Sequence, residues 1–181
     1  MSAAECWLRI IEVRNKFMEI VKLTPSKWEK YKNIRLEALK NDSLAFGTYH
    51  AEALKKTEAE WKATLAKPDS YLFFAKEDEE LTGMAAAYQE EGEKCKHVAY
   101  VWGVYVRAAY RGQGLGKKLM EKLLSALKEN KIIKANLNVN TIQTEAYKLY
   151  ISLGFQPIGI AHKELKIDGK YYDEYLMEKI F

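Results

Sequence analysis

At 181 residues, with 48% hydrophobic and 30% charged side chains, the chain has the composition of one folded domain with room for a sizeable core, which excludes a disordered polymer. Its net charge of +4 comes without a basic stripe carrying interleaved aromatics, and no apolar run approaches the roughly 20 residues that span a bilayer, so neither nucleic acid nor membrane is expected as a partner. Cys6 and Cys95 lack metal-ligand spacing and no secretory leader pattern opens the chain, which excludes a disulfide framework and a zinc site and leaves a reducing, cytoplasmic setting without metal as the default.

Met18-Glu19-Ile20-Val21-Lys22-Leu23 reads as the opening strand, over 17–23. Residues 1–17 are therefore expected to be an N-terminal extension, loosely packed or an added short helix, ahead of a domain spanning 18–181. Thr24-Pro25 supplies a hydroxyl N-cap and a proline at the first helical position. Trp28, Tyr31, Arg35, Ala38 and Leu39 then share one helical face, which turns polar by Asn41-Asp42 and gives way to an irregular stretch over 43–50. Thr57-Glu58-Ala59-Glu60 is a capping box for a helix that carries Trp61 and Leu65 and stops before Pro68. Strands over 71–75 and 81–88 are joined by Glu77-Asp78-Glu79-Glu80; that run and Glu90-Glu91-Gly92-Glu93 read as solvated loops. A third, longer strand runs over 97–106.

That strand leads through Arg107-Ala108-Ala109-Tyr110 into Arg111-Gly112-Gln113-Gly114-Leu115-Gly116, which opens the clearest helix, 114–129. Leu115, Leu119, Leu123 and Leu127 recur there at four-residue intervals, reinforced by Met120 and Leu124. A strand feeding a glycine-rich turn that becomes a helix makes an anion site. The first helical N–H groups lack intrahelical acceptors, the dipole is positive there, glycines admit the anion to the backbone, and Arg111 adds a charge-assisted contact. A pyrophosphate-bearing ligand is expected. The P-loop is excluded because Gly112 and Gly116 stand one residue too close and Lys118 occupies the place of the metal-binding hydroxyl. The dinucleotide fingerprint is excluded by the glycine spacing and by the lack of an acidic residue ending the next strand.

Ile133, Ala135, Leu137 and Val139 alternate with Lys134, Asn136 and Asn138 as a strand over 133–139. Asn140-Thr141 offers a cap to the next helix, whose buried stripe is Ala146, Leu149, Tyr150 and Leu153 and whose stop is Gly154. Segments 155–167 and 171–179 make a closing hairpin around Asp168-Gly169. The order β-α-α-β-β-β-α-β-α-β-β predicts a single α/β domain: a mixed central sheet of about six to seven strands with helices on both faces.

Two motifs in this order resemble those of the GNAT superfamily of N-acetyltransferases. Arg111-Gly112-Gln113-Gly114-Leu115-Gly116 resembles its motif A, Arg-x-x-Gly-x-Gly. The run from Gln143 to Phe155, with Ala146, Leu149-Tyr150 and Gly154-Phe155, resembles its motif B, Asn-x-x-Ala-x-x-Leu-Tyr-x-x-x-Gly-Phe, except that Gln143 replaces the asparagine. The resemblance covers nearly all of 18–181, the expected N-acetyltransferase domain, and the element order is that of the family's fold. It implies an acetyl-CoA-dependent acyltransferase in which an amine attacks the thioester directly. It implies that Arg111, Gly112, Gln113, Gly114, Leu115, Gly116 and Lys117 hold the pyrophosphate. The main chain of Val104, Tyr105 and Val106 would take the pantetheine arm beside a bulge with which Gly103 is compatible. Gln143 is expected at the cofactor, its amide reaching differently from the usual asparagine unless Asn140 takes over. Tyr150 is implied as the general acid that protonates the departing thiolate, the other reading being a core aromatic with its hydroxyl satisfied by a neighbour.

Many relatives carry a glutamate on the strand that here runs 97–106, where no carboxylate occurs and His97 reads as a surface residue. Glu37, Asp173, Glu174 and a water relay stay open as the base, and none is chosen. The acceptor pocket implied by the family falls at 36–50 and 160–172, where Phe46, Tyr49, Tyr171 and Tyr172 could form an aromatic wall or simply pack. The acceptor is a small-molecule or peptide amine, and the protein a monomer or homodimer. Two other readings remain: a CoA-binding sensor or interaction module without catalysis, and a transferase using another acyl-CoA.

Overall fold

Met18 is the first of the described residues, 18–181, in the computed structural model, so the expectation for residues 1–17 lies outside them. In chain order the elements are β1 (Met18–Val21), α1 (Trp28–Asn41), α2 (His50–Ala53), α3 (Glu58–Ala66), β2 (Ser70–Glu77), β3 (Glu80–Gln89), β4 (Val98–Val101), β5 (Tyr105–Val106), α4 (Leu115–Glu129), β6 (Lys134–Asn140), α5 (Thr144–Ser152), β7 (Gln156–Ile167) and β8 (Lys170–Ile180). The strands form one sheet in the order β1-β2-β3-β4-β6-β8-β7, with β5 paired to β3 off that path. All pairings among the described residues are antiparallel except β4 with β6, which the α4 crossover makes parallel.

Side-chain alternation on β2 explains the layering. Tyr71, Phe73 and Ala75 join the core beneath α4, with Leu115, Leu119, Met120, Leu123 and Leu127. Leu72 and Phe74 point the other way, into a core with Tyr31, Ile34, Ala38 and Leu39 of α1 and Trp61 of α3. Tyr31 meets Trp61 edge-on at 5.3 Å between ring centroids. Each large side chain so buried contributes about 1.5–3 kcal/mol. Helices therefore cover both faces, and the mixed α/β expectation stands.

Three boundaries differ from the sequence reading. Pro25 starts a 3-10 turn, Pro25–Lys27, before α1 begins, and Thr24 spends its hydroxyl on Ser26 rather than on a helical N–H. Asn140 accepts the Ile142 N–H at 3.2 Å in a turn, so α5 starts later than its cap signal suggested, with Gln143 at the N-cap. The capping box is in place, Thr57 N–H donating to Glu60 at 2.7 Å.

The third difference raises the strand count to eight. The strand expected over 97–106 divides into β4 and β5 at Trp102-Gly103-Val104. Ala87 pairs with Val101 and Met84 with Tyr105, four residue steps against three, which is a one-residue bulge. Gly103 permits it: a Cβ there would lie 3.1 Å from the Ala86 Cβ and 3.2 Å from the Met84 Cε. β4 goes on to pair with β6, whereas β5 has only β3. The sheet consequently splays open between β5 and β6.

Candidate functional site

The splay is occupied by a cavity of about 790 Å³. Val104, Tyr105 and Val106 line it from the β5 side, and Arg111, Gly112, Gly114, Leu115, Gly116 and Lys117 from the loop. Gln143, Leu149 and Tyr150 line it from α5 and the turn before it. Every predicted cofactor contact thus reaches one cavity except Gln113, whose Nε2 donates instead to the Ala109 carbonyl at 3.1 Å.

The loop is bare main chain for a conformational reason. Gly112 has φ +72° and Gly114 φ +78°, values that side-chain-bearing residues adopt only under strain, and a Cβ at either would stand in open space. Gly114 caps α4 without a side-chain hydrogen bond. The N–H groups of Leu115, Gly116 and Lys117 therefore point their unspent valence and the positive end of a 15-residue helix out of its N-terminus. This donor set fits a diphosphate. Gly116 is different: a Cβ there would make ordinary contacts, 3.5 Å from Leu149 and 3.7 Å from Val106.

Arg111 departs from expectation. Its Nε donates to the Val106 carbonyl at 2.8 Å, its Nη2 pairs with Asp42, and its guanidinium lies over the Tyr105 ring. It latches the loop to β5 and to the end of α1 rather than leaning over the glycines. Arg107, which sequence reasoning missed, forms a second latch, bidentate on Glu37 through Nε and Nη2 and bound to Glu80 at 3.1 Å. The Tyr105 hydroxyl also donates to Glu37, at 3.0 Å. Glu37 is thereby spent as a structural counter-ion and drops out as a base.

Tyr150 is only 8% exposed yet lines the cavity, edge-on to Phe155. Its hydroxyl has no protein partner among the described residues, so no neighbour satisfies it as the core-aromatic reading required. Burial pushes its pKa above the ordinary phenol value, which keeps the proton on the oxygen. Asn140 is buried and committed through its Oδ1 to the turn before α5; Gln143, not Asn140, faces the cavity.

Away from the loop, the cavity is walled by Phe46, Tyr100, Trp102, Asn138, Glu164 and Glu174. Of the predicted aromatic wall only Phe46 is present. Tyr49 lines an adjoining cavity of about 450 Å³ and donates its hydroxyl to the Lys166 carbonyl, while Tyr171 and Tyr172 line neither. The two remaining candidate bases are neighbours on β8 and so point to opposite faces. Asp173 accepts the Lys163 N–H at 2.8 Å and pairs with His162 at 2.9 Å; these bonds hold its carboxyl below the usual range, away from the cavity. Glu174 lines the cavity, accepts from Asn138 Nδ2 at 3.1 Å, and has its pKa raised by burial and then by the charge of Glu164. The polar row Asn136-Asn138-Asn140 on an otherwise apolar strand was the one sequence signal for this wall.

A profile of the Acetyltransferase (GNAT) family matches residues 28–155. The chain is 28% identical over 121 residues to the N-alpha-acetyltransferase RimI of Mycobacterium tuberculosis, covering 67% of this chain and 73% of that protein. Other curated relatives are longer, and the chain spans between 31% and 41% of their length. Among solved structures, an acetyltransferase of the GNAT family from Streptococcus pneumoniae superposes with a TM-score of 0.82 at 21% identity, over 91% of this chain and 100% of that one. The yncA protein of Salmonella typhimurium, solved with its cofactor acetyl-CoA, gives 0.75 at 17% identity, over 91% and 94%. At these identities the structures establish the fold.

Proposed function

The chain belongs to the acetyltransferase (GNAT) family, and from that premise we propose that it is an acyltransferase that moves an acetyl group from acetyl-CoA to a primary amine by direct attack. The observation that carries this reading is the juxtaposition in one cavity of the bare glycine loop, the splayed β5 edge and the free Tyr150 hydroxyl. Acetyl-CoA, when bound, supplies the acetyl group as an activated thioester. The amides from Gly112 to Lys117 hold the diphosphate, that of Arg111 being spent on the Ala108 carbonyl at 3.2 Å, with Gln143 alongside, and the main chain of Val104, Tyr105 and Val106 lies against the pantetheine arm. Tyr150 gives its proton to the sulfur as the amide forms. The acceptor is a peptide or small-molecule amine, and the name of the RimI relative supports an α-amine among the possibilities. The setting is cytoplasmic and the protein acts as a monomer or homodimer.

Calorimetric titration with acetyl-CoA, followed by thiol release in the presence of amines, tests the reading. Saturable heat and amine-dependent thiol are expected; no heat would end it. Heat without thiol from any amine would favour a CoA-binding module, and preference for a longer acyl-CoA in competition would change the donor.

A further inference from the structure

We propose that Glu174 is the catalytic base, taking a proton from the acceptor's ammonium group inside the cavity that also holds the Tyr150 hydroxyl. The proposal rests on the amine-transfer reading above and supplies the group that the strand over 97–106 lacks.

Four carboxylates line the cavity, and three are disqualified by position or partner. Asp42 is paired with Arg111. Glu145 sits in the first turn of α5, paired with Lys148 at 2.8 Å. Glu164 is exposed on β7. Glu174 alone is half-buried without an ion-pair partner among the described residues, and its one hydrogen bond comes from the uncharged Asn138. A base must be sheltered enough to be basic and free enough to accept; Glu174 is both.

The fold arranges a like charge beside it. On β7 the register jumps from Ala161 opposite Glu174 to Leu165 opposite Tyr172, so His162, Lys163 and Glu164 together oppose Asp173. This three-against-one bulge puts Lys163 at φ +56°, a left-handed conformation that is strained for lysine. Asp173 holds it, bonding the Lys163 N–H and the His162 ring. The result is that Glu164 lines the same cavity as Glu174. The groups facing Glu174 are Glu164 from β7, the Tyr100 phenol from β4 and the uncharged Asn138 from β6. Burial first and Glu164 second raise the Glu174 carboxyl, against the Asn138 bond that lowers it. Tyr100 is itself pushed up to about 12 by burial and then by Glu174, so it adds no charge near neutrality.

The protons balance. One leaves the ammonium for the Glu174 carboxylate and passes to solvent. The freed nitrogen lone pair forms the C–N bond to the thioester carbonyl carbon as the C–S bond breaks. Tyr150 protonates the departing sulfur, and the second proton shed by nitrogen restores the Tyr150 hydroxyl.

The test measures thiol release from acetyl-CoA across pH with propylamine, 1,5-diaminopentane and an alanine-headed hexapeptide. Acetyl-CoA affinity is followed by calorimetry. E174Q is expected to bind acetyl-CoA as the wild type does while kcat falls by about 10²–10⁴-fold at neutral pH. Its residual rate should climb about tenfold per pH unit as free amine accumulates. In E164Q, loss of the neighbouring charge lowers the Glu174 pKa, so the acid limb of kcat/KM moves to lower pH. Wild-type kcat and pH profile in E174Q would overturn the proposal. If E174Q cannot bind acetyl-CoA, an unmoved acid limb in E164Q overturns it. A wild-type protein that binds acetyl-CoA but acetylates none of the three amines defeats the transferase reading and takes the base with it.

Discussion

One continuous stretch, 104–117, forms the loop half of the cavity and meets it mainly with main chain; the opposite half is assembled from side chains of Tyr100 on β4, Asn138 on β6, Glu164 on β7 and Glu174 on β8. The first half depends on backbone angles, which are either attainable or not. The second depends on charge and burial, which vary continuously. Substitutions in the loop half should therefore act on binding in an all-or-none manner, and those in the sheet half should act on rate and pH dependence.

The largest effect should come from comparing two glycines two positions apart. Gly114→Val forces a branched residue to φ +78°, at a cost of about 1–3 kcal/mol, and puts methyl groups where the anion would lie. Acetyl-CoA heat should vanish in calorimetry while the circular dichroism stays native. Gly116→Ala meets only ordinary contacts inside α4 and should be neutral or stabilising by up to about 1 kcal/mol, with binding retained. Loss of binding in the alanine variant alone would reverse which glycine faces the anion. Next comes Tyr150→Phe, which removes one oxygen from a ring already packed on Phe155. Turnover should fall by about 10²-fold with little change in acetyl-CoA affinity; unchanged turnover would remove Tyr150 from the chemistry.

The same contrast explains how much could be read from the chain. Gly112 and Gly114 announce the loop because a backbone site needs particular residues at particular spacings, and Tyr150 came with its own helical motif. The layered fold was equally legible, since the leucine stripe of α4 and the alternation on β6 are local periodicities. Arg111 was found but its latch onto Asp42 was not, because that partner lies 69 positions away. Glu174 could be named as one of several carboxylates, yet nothing local distinguished it from Asp173. Strand alternation and a bulge on β7 make that distinction, and both follow from pairing between distant segments.

A smaller effect is expected at the join between the halves. Glu37 receives two Arg107 donors and the Tyr105 hydroxyl, with both members of the ion pair about 30% exposed. Glu37→Gln keeps the shape and removes the charge, so thermal unfolding should show a loss of about 1–2 kcal/mol, a few degrees in Tm. Because this latch fixes β5 from behind, acetyl-CoA binding should weaken in step with it. An unchanged Tm would mean that the pair carries no net stability.

The smallest effect tests the brace behind the acceptor wall. Asp173 accepts the Lys163 N–H and pairs with His162, and both bonds favour its charged form. A carboxyl whose folded pKa lies below its unfolded value of about 3.9 contributes stability that is fully present above that value. The contribution fades as pH falls through the folded pKa. Asp173→Asn retains an oxygen to accept the Lys163 N–H but loses the charge, so its urea midpoint should sit slightly below wild type from neutrality down to about pH 4, the unfolded value, and converge with it only as pH falls through the lowered folded pKa. A gap of constant size across that range would assign the brace to hydrogen-bond geometry alone. The bulge that presents Glu164 would then hold independently of the Asp173 charge, and the pH response of the acceptor half would trace to Glu174 and Glu164 without a contribution from β8's outer face.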